Sequence, residues 1–133
     1  MSQRVLLCDD ELHILRAAEF KLKRAGLDVR CAHDGQEAWE LIQECVPDIL
    51  VTDYQMPRLD GLGLTERIRN NPQSADLPIV MLTAKTYELT YDDLVAQWKV
   101  AAVLAKPFSP RQLLQVVQQI LQTGKCEEPL GVH

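Results

Sequence analysis

Five short apolar segments recur along the 133-residue chain and limit its possible folds more than any other feature. They are residues 5–8, 28–32, 48–53, 78–83 and 101–105. Three of them are nearly continuous in apolar residues and lack the alternation of a sheet with one face in water. The segments therefore predict the strands of a parallel sheet that is covered on both faces.

Helical patterns separate the five predicted strands. The first helix is indicated by an apolar repeat at Ile14, Ala18 and Leu22 that stops at Gly26, and the second by a capping pattern from Asp34 to Glu37. The third and fourth are expected over residues 61–70 and 87–97. The fifth begins with the cap Ser109 and has Pro110 in its first turn. Strands that alternate with helices favour right-handed crossovers and three layers. We therefore expect a single-domain, doubly wound α/β fold, (βα) repeated five times, with a five-stranded parallel sheet in the flavodoxin-like strand order 2-1-3-4-5.

The size and charge of the chain narrow its class. Its length suits one domain, which we expect over residues 1–123, and residues 124–133 have no apolar periodicity and are expected to be disordered. No apolar run approaches the ~20 residues that span a bilayer, and the N-terminus lacks the apolar core of a signal peptide. A formal net charge of -5 disfavours direct DNA binding. We expect a cytoplasmic protein that binds neither DNA nor membranes.

The first predicted strand ends in three consecutive carboxylates, residues 9–11. Two like charges about 4 Å apart repel by roughly 4 kcal/mol at an effective dielectric of about 20, so a positive group is expected beside them. Ligands of doubly wound folds bind beyond the carboxyl ends of the strands. The other strand ends supply Asp53, Thr83 and Lys106, and we expect all of these polar side chains to meet at one edge of the sheet.

The chemistry of these side chains suits phosphoryl transfer with a metal ion. Carboxylates are preferred ligands of hard divalent cations, so Asp9, Asp10 and Asp53 predict a site for Mg²⁺ or Mn²⁺. Asp53 can act as a nucleophile toward phosphorus, while Lys106 and Thr83 can contact phosphoryl oxygens. Two simpler interpretations stay open: Asp10 as the N-cap of the first helix, and Lys106 as an ordinary surface lysine.

Other reactive or aromatic residues are interpreted structurally. His13 lies near Asp10 in the sequence, but imidazole is a poor ligand for Mg²⁺, so we expect this residue on a helix surface. Trp39 and Trp98 are interpreted as packing residues. The four cysteines form no CxxC pattern and are interpreted as reduced, mostly buried thiols.

Four segments together carry a family resemblance. They are LLCDDE (6–11), TDYQMPRLDG (52–61), MLTA (81–84) and AKPF (105–108). By these motifs, their order and their approximate spacing, the chain from about Arg4 to Leu121 resembles the receiver domain of two-component response regulators. The domain expected over residues 1–123 is therefore interpreted as a receiver domain.

The resemblance implies that Asp53 accepts a phosphoryl group from a histidine kinase or a histidine phosphotransfer protein. It implies a metal site made of Asp10, Asp53 and the backbone carbonyl of Gln55, with Asp9 assisting through water, and phosphate contacts from Thr83 and Lys106. A receiver domain is a phospho-acceptor rather than an enzyme, with only weak self-phosphorylation and autodephosphorylation. We expect a stand-alone module whose conformational change is read by an unidentified downstream protein.

Two departures from the family bear on signalling. Val103 stands three residues before the lysine, where the family usually has a Tyr or Phe that rotates inward, and residues 98–102 replace a Gly-Ala-Asp-Asp-like turn. Because valine has few rotamers to exchange, we expect phosphorylation to change residues 85–97 more than Val103 and its strand.

Two other functions stay open. One is a phosphohydrolase of the haloacid-dehalogenase-like type, which Gln55 disfavours because those enzymes have a second Asp at that position. The other is a docking module that keeps the receiver fold but is never phosphorylated.

Overall fold

The computed structural model describes residues 2–84 and 98–123, which form one five-stranded parallel sheet with helices on both sides. The strands are β1 (Arg4–Cys8), β2 (Asp28–Ala32), β3 (Ile49–Asp53), β4 (Ile79–Ala84) and β5 (Ala102–Lys106), and the helices of the described ranges are α1 (Leu12–Arg24), α2 (Gly35–Glu44), α3 (Gly61–Arg69) and α4 (Pro110–Thr123). The spatial order β2-β1-β3-β4-β5 confirms the predicted fold and strand order. The predicted helix at 87–97 and the predicted tail at 124–133 lie outside the described residues.

The parallel register brings the carboxyl ends of the central strands to one edge of the sheet. Cys8, the last residue of β1, pairs with Thr52 in β3. At the ends of β4 and β5, Ala84 pairs with Lys106. Lys106 is therefore the last residue of β5 rather than the first residue beyond it, because backbone pairing with β4 continues that far. For the same reason Thr83 is followed by one further strand residue.

Apolar side chains cover both faces of the sheet. Successive residues of β3 point to opposite faces: Leu50 lies in the same apolar cluster as Ile42 of α2, whereas Val51 lies in the cluster that contains Leu22 of α1. Burial on both faces explains why the strands read as continuous apolar runs. None of the described helices is long and apolar enough to cross a membrane.

Two helices begin with the predicted caps, and one helix differs from the prediction at one buried position. Asp34 Oδ1 accepts a 2.8 Å hydrogen bond from the N–H of Glu37, and Ser109 Oγ accepts one from the N–H of Gln112 at 3.1 Å. In α1 the buried residues are Leu15, Ala18 and Leu22, so the prediction of Ile14 as a core residue is wrong. A series with spacing three and four stays closer to one face of a 3.6-residue helix than a strict spacing of four does.

Arg69, the last residue of α3, fixes the segment that precedes β5. Its guanidinium donates hydrogen bonds to the carbonyls of Leu77 at 2.8 Å and of Ala75, Trp98 and Lys99 at 3.0 Å. Lys99 has a φ of 56°, which is uncommon for a residue other than Gly. The segment 98–102 that departs from the family pattern is therefore held by a side chain from elsewhere in the fold.

The two tryptophans pack as predicted. Trp39 and Trp98 are partly buried against the apolar cluster on the α2 and α3 side of the sheet. Val103 of β5 belongs to the same cluster and is 6% exposed. The residue that departs most clearly from the family pattern is therefore part of the core.

Candidate functional site

Three side chains from the ends of β1, β3 and β5 meet at the carboxyl edge of the sheet. The Lys106 ammonium lies 2.9 Å from Asp9 Oδ2 and 3.2 Å from Asp53 Oδ2. It also donates a 2.8 Å hydrogen bond to Glu11 Oε2. Only 15% of the Lys106 side chain is exposed, so the interpretation of this residue as an ordinary surface lysine is wrong. A positive group does stand beside the carboxylates, as their repulsion requires.

Asp9, Asp10 and Asp53 form an acidic cluster in which one carboxylate oxygen from each residue lies within 4.8 Å of the others. Asp9 and Asp53 are buried, whereas Asp10 is exposed. Asp9 Oδ2 accepts no hydrogen bond within the described part of the chain, although Lys106 pairs with it as an ion. A buried carboxylate oxygen with free lone pairs, beside two further carboxylates, suits a hard divalent cation, so these residues fit Mg²⁺ or Mn²⁺.

The loop between β1 and α1 lets consecutive aspartates face one site. Because β1 ends at Cys8, Asp9 and Asp10 are free of the alternation that a strand imposes. Asp9 Oδ1 accepts a 2.9 Å hydrogen bond from the backbone N–H of Glu11, which fixes the turn. The N-cap residue of α1 is Glu11, and its side chain makes no capping hydrogen bond. The interpretation of Asp10 as the N-cap is therefore wrong.

The charges of the cluster oppose the ionisation of Asp53. Burial, and then the charge of Asp9, raise the pKa of Asp53 to about 6 against the attraction of Lys106. Burial by itself lowers the pKa of Lys106, but the contacts with Glu11 and Asp9 outweigh it and raise this pKa overall. The hydrogen bond from Lys106 holds the pKa of Glu11 below its ordinary value. Lys106 therefore stays charged at neutral pH, and Asp53 carries its charge at a free-energy cost.

The acidic cluster opens into a cavity of about 650 Å³. The lining residues are Asp10, Glu11, Asp53, Gln55, Met56, Asp60, Ala84 and Lys106. Gln55, whose backbone carbonyl is a predicted metal ligand, thus borders the same cavity as Asp10 and Asp53 of the acidic cluster. Thr83 is 9% exposed and lies in β4 one residue before the lining residue Ala84.

Gly61, the first residue of α3, shapes the loop that follows Asp53. Its N–H donates a 2.9 Å hydrogen bond to the Tyr54 carbonyl, and a Cβ at this position would lie 2.4 Å from the Asp53 carbonyl oxygen. Only glycine therefore lets α3 begin so close to the end of β3. Asp60 caps the helix by accepting a 2.8 Å hydrogen bond from the N–H of Gly63.

Two residues at or near the site have contacts that the sequence analysis missed. The only sequence signal of Glu11 is its place as the third of three consecutive carboxylates. Arg58, which has a φ of 70°, pairs with Asp34 Oδ2 at 3.2 Å and so ties the loop after β3 to the start of α2. No local pattern marks that pairing.

His13 and the cysteines have no part in the proposed phosphoryl and metal chemistry. His13 is exposed on α1, which confirms its helix-surface position. Cys8 is buried and burial raises the pKa of its thiol, whereas Cys31 is partly buried with a pKa raised to about 11. Cys45 is exposed, so the prediction of mostly buried thiols does not hold for it.

Known proteins share both the sequence pattern and the fold of this chain. The family model described as the response regulator receiver domain matches residues 5–118. A protein described as a response regulator, from Chloroflexus aurantiacus J-10-fl, is 35% identical with a TM-score of 0.81, over 92% of this chain and 99% of that chain. The chemotaxis response regulator CheY4 of Vibrio cholerae is 31% identical with a TM-score of 0.82, over 90% and 99%. The receiver domain of Francisella response regulator 1452 is 30% identical with a TM-score of 0.83, over 93% and 100%.

Proposed function

The chain belongs to the response regulator receiver domain family, and from this premise we propose that it accepts a phosphoryl group on Asp53. The proposed donor is a histidine kinase or a histidine phosphotransfer protein. The observation that carries the proposal is the position of the Lys106 ammonium, 3.2 Å from Asp53 Oδ2, beside an open cavity of about 650 Å³. A nucleophile, a fixed positive charge and room for the donor are what phosphoryl transfer to a carboxylate requires.

The proposed transfer begins with Asp53 in its ionised form, which predominates at neutral pH because its pKa is about 6. A carboxylate oxygen of Asp53 forms a bond to phosphorus, and the phosphorus–nitrogen bond of the donor's phosphohistidine breaks. The histidine nitrogen leaves with the electron pair of that bond, as neutral imidazole when its other ring nitrogen carries a proton. The product is an acyl phosphate on Asp53.

Positive charge near the phosphoryl oxygens is the main contribution expected from the rest of the site. Lys106 would contact a phosphoryl oxygen as negative charge accumulates there. The metal ligands would be Asp10, Asp53 and the backbone carbonyl of Gln55, with Asp9 assisting. Mg²⁺, when bound, supplies a second positive charge beside the phosphoryl group. The Thr83 hydroxyl is proposed to donate a hydrogen bond to the phosphoryl group.

Repeated turnover of external phosphoesters is not favoured by this arrangement. Gln55 borders the cavity where a phosphohydrolase of the haloacid-dehalogenase-like type would need a second Asp as general acid or base. The phosphoryl group is therefore proposed to stay on Asp53, apart from slow loss, and to act through a conformational change that another protein reads.

Incubation with phosphoramidate and Mg²⁺, followed by intact-mass measurement, tests the proposal. The wild-type protein should gain the mass of one phosphoryl group, and Asp53→Asn should gain none. Asp60→Asn is the matched control, because Asp60 lines the same cavity and Asn is an equally good N-cap for α3. Labelling of Asp53→Asn at the wild-type rate, or no labelling of the wild type, would contradict the proposal. Rapid release of phosphate over many turnovers, without a lasting gain in mass, would indicate a phosphohydrolase instead.

A further inference from the structure

Lys106 has one more carboxylate partner than its proposed role needs. Its ammonium has three N–H donors and faces three carboxylates. The distances are 2.8 Å to Glu11 Oε2, 2.9 Å to Asp9 Oδ2 and 3.2 Å to Asp53 Oδ2. A phosphoryl group on Asp53 would bring further oxygens to the same ammonium. These oxygens would compete with the present carboxylate partners for the same ammonium.

Glu11 is the partner that can leave. Asp9 is 2% exposed and is held by the backbone N–H at position 11, while Asp53 would itself carry the phosphoryl group. The Glu11 side chain is 47% exposed, so water can solvate its carboxylate when the contact with Lys106 breaks. The contact is therefore the most easily exchanged of the three.

We propose that Glu11 is a positioning residue that holds Lys106 in the resting protein and slows the uptake of phosphoryl groups. The inference rests on the proposed function and concerns the regulation of that same site. The Glu11 carboxylate competes with phosphoryl oxygens for Lys106. Its charge also adds to those of Asp10 and Asp53 along the cavity that an anionic donor must enter. Both effects slow transfer.

The charge of the donor separates this role from a purely structural one. Acetyl phosphate is a dianion at neutral pH, whereas phosphoramidate carries a single net negative charge. Removing the charge of Glu11 should therefore speed uptake from acetyl phosphate more than uptake from phosphoramidate. A residue that acted only through the stability of the fold would change both rates by the same factor.

The test compares Glu11→Gln with the matched control Glu44→Gln. Glu44 is an exposed acid at the end of α2, a helix that runs back toward the opposite edge of the sheet, so the control removes the same charge away from the cavity. With Mg²⁺ present, Glu11→Gln should take up a phosphoryl group about three- to fivefold faster from acetyl phosphate and about twofold faster from phosphoramidate, as expected for an ion pair of this exposure. Glu44→Gln should change neither rate, and high salt should reduce the gain because it screens exposed charges.

A second measurement does not depend on phosphoryl transfer. Beryllofluoride with Mg²⁺ mimics an acyl phosphate, and calorimetry should show that it binds Glu11→Gln about three- to fivefold more tightly than the wild type. If the wild type is phosphorylated but Glu11→Gln changes neither the rates nor this affinity, the inference is wrong and the proposed function stands. If the wild type is never phosphorylated while Glu11→Gln still binds the mimic more tightly, the proposed function fails and the competition for Lys106 stands.

Discussion

Replacing Asp53 by Asn should stabilise the metal-free protein at neutral pH. The pKa of Asp53 is raised from 3.8 to about 6, first because the carboxyl is buried and then because Asp9 repels its charge. Each pH unit between the folded and unfolded pKa corresponds to about 1.4 kcal/mol. The ionised carboxylate of Asp53 therefore lowers the free energy of unfolding by about 3 kcal/mol above pH 6.

The sign of the pH dependence follows from proton binding. Between pH 3.8 and about 6, the folded state keeps a proton on Asp53 that the unfolded chain has lost, so the stability of the wild type falls as the pH rises through this window. Asn resembles the protonated carboxyl and does not titrate. The advantage of Asp53→Asn should therefore grow from under about 1 kcal/mol near pH 4 to about 3 kcal/mol near pH 7.5.

Urea unfolding in the presence of a chelator, followed by far-UV circular dichroism at both pH values, measures this difference. Asp28→Asn is the matched control, because it removes an exposed carboxylate at the start of β2, and it should change the free energy of unfolding by less than about 0.5 kcal/mol. Equal stability of Asp53→Asn and the wild type near pH 7.5 would refute the reasoning. So would an advantage of the variant that is the same at both pH values.

Three further predictions concern the metal site, the loop after β3 and the path of the signal. Asp10→Asn should weaken Mg²⁺ binding in a calorimetric titration, because it removes one of three clustered carboxylates; unchanged affinity would contradict a ligand role. Gly61→Ala should lower the free energy of unfolding by about 1 to 3 kcal/mol in urea, because its Cβ would meet the Asp53 carbonyl oxygen at 2.4 Å. Gly63→Ala should cost less, since the nearest atom belongs to a movable leucine side chain, and equal costs would rule out this steric explanation. When beryllofluoride binds, amide exchange should change in residues 85–97 more than in β5, because the buried Val103 has few rotamers to exchange; changes concentrated in β5 would show that Val103 transmits the signal.

The fold, and the meeting of strand-end side chains at one edge of the sheet, were predictable because local patterns record them. A strand covered on both faces must be apolar at nearly every position, so β3 and β4 could be read directly from the sequence. The carboxyl ends of parallel strands share one edge, which is why Asp9, Asp53 and Lys106 could be expected to meet.

Contacts that depend on where one loop or helix end places its side chain could not be predicted. Glu11 and Lys106 are 95 residues apart. Their hydrogen bond depends on how the start of α1 lies relative to the end of β5. Arg69 likewise donates hydrogen bonds to the carbonyls of Leu77 and Lys99, which lie far apart in the sequence. No periodicity or motif encodes such contacts, because they exist only after the sheet has formed.

Borohydride reduction of the phosphorylated protein tests the central claim most directly, because it converts an aspartyl phosphate into homoserine at the modified position. Peptide mass spectrometry then locates that position. Phosphoryl transfer to Asp53 predicts homoserine at residue 53 alone, after treatment with phosphoramidate and Mg²⁺. Homoserine at residue 9 or 10, or a gain in intact mass without any homoserine, would contradict the assignment of Asp53 as the phospho-acceptor.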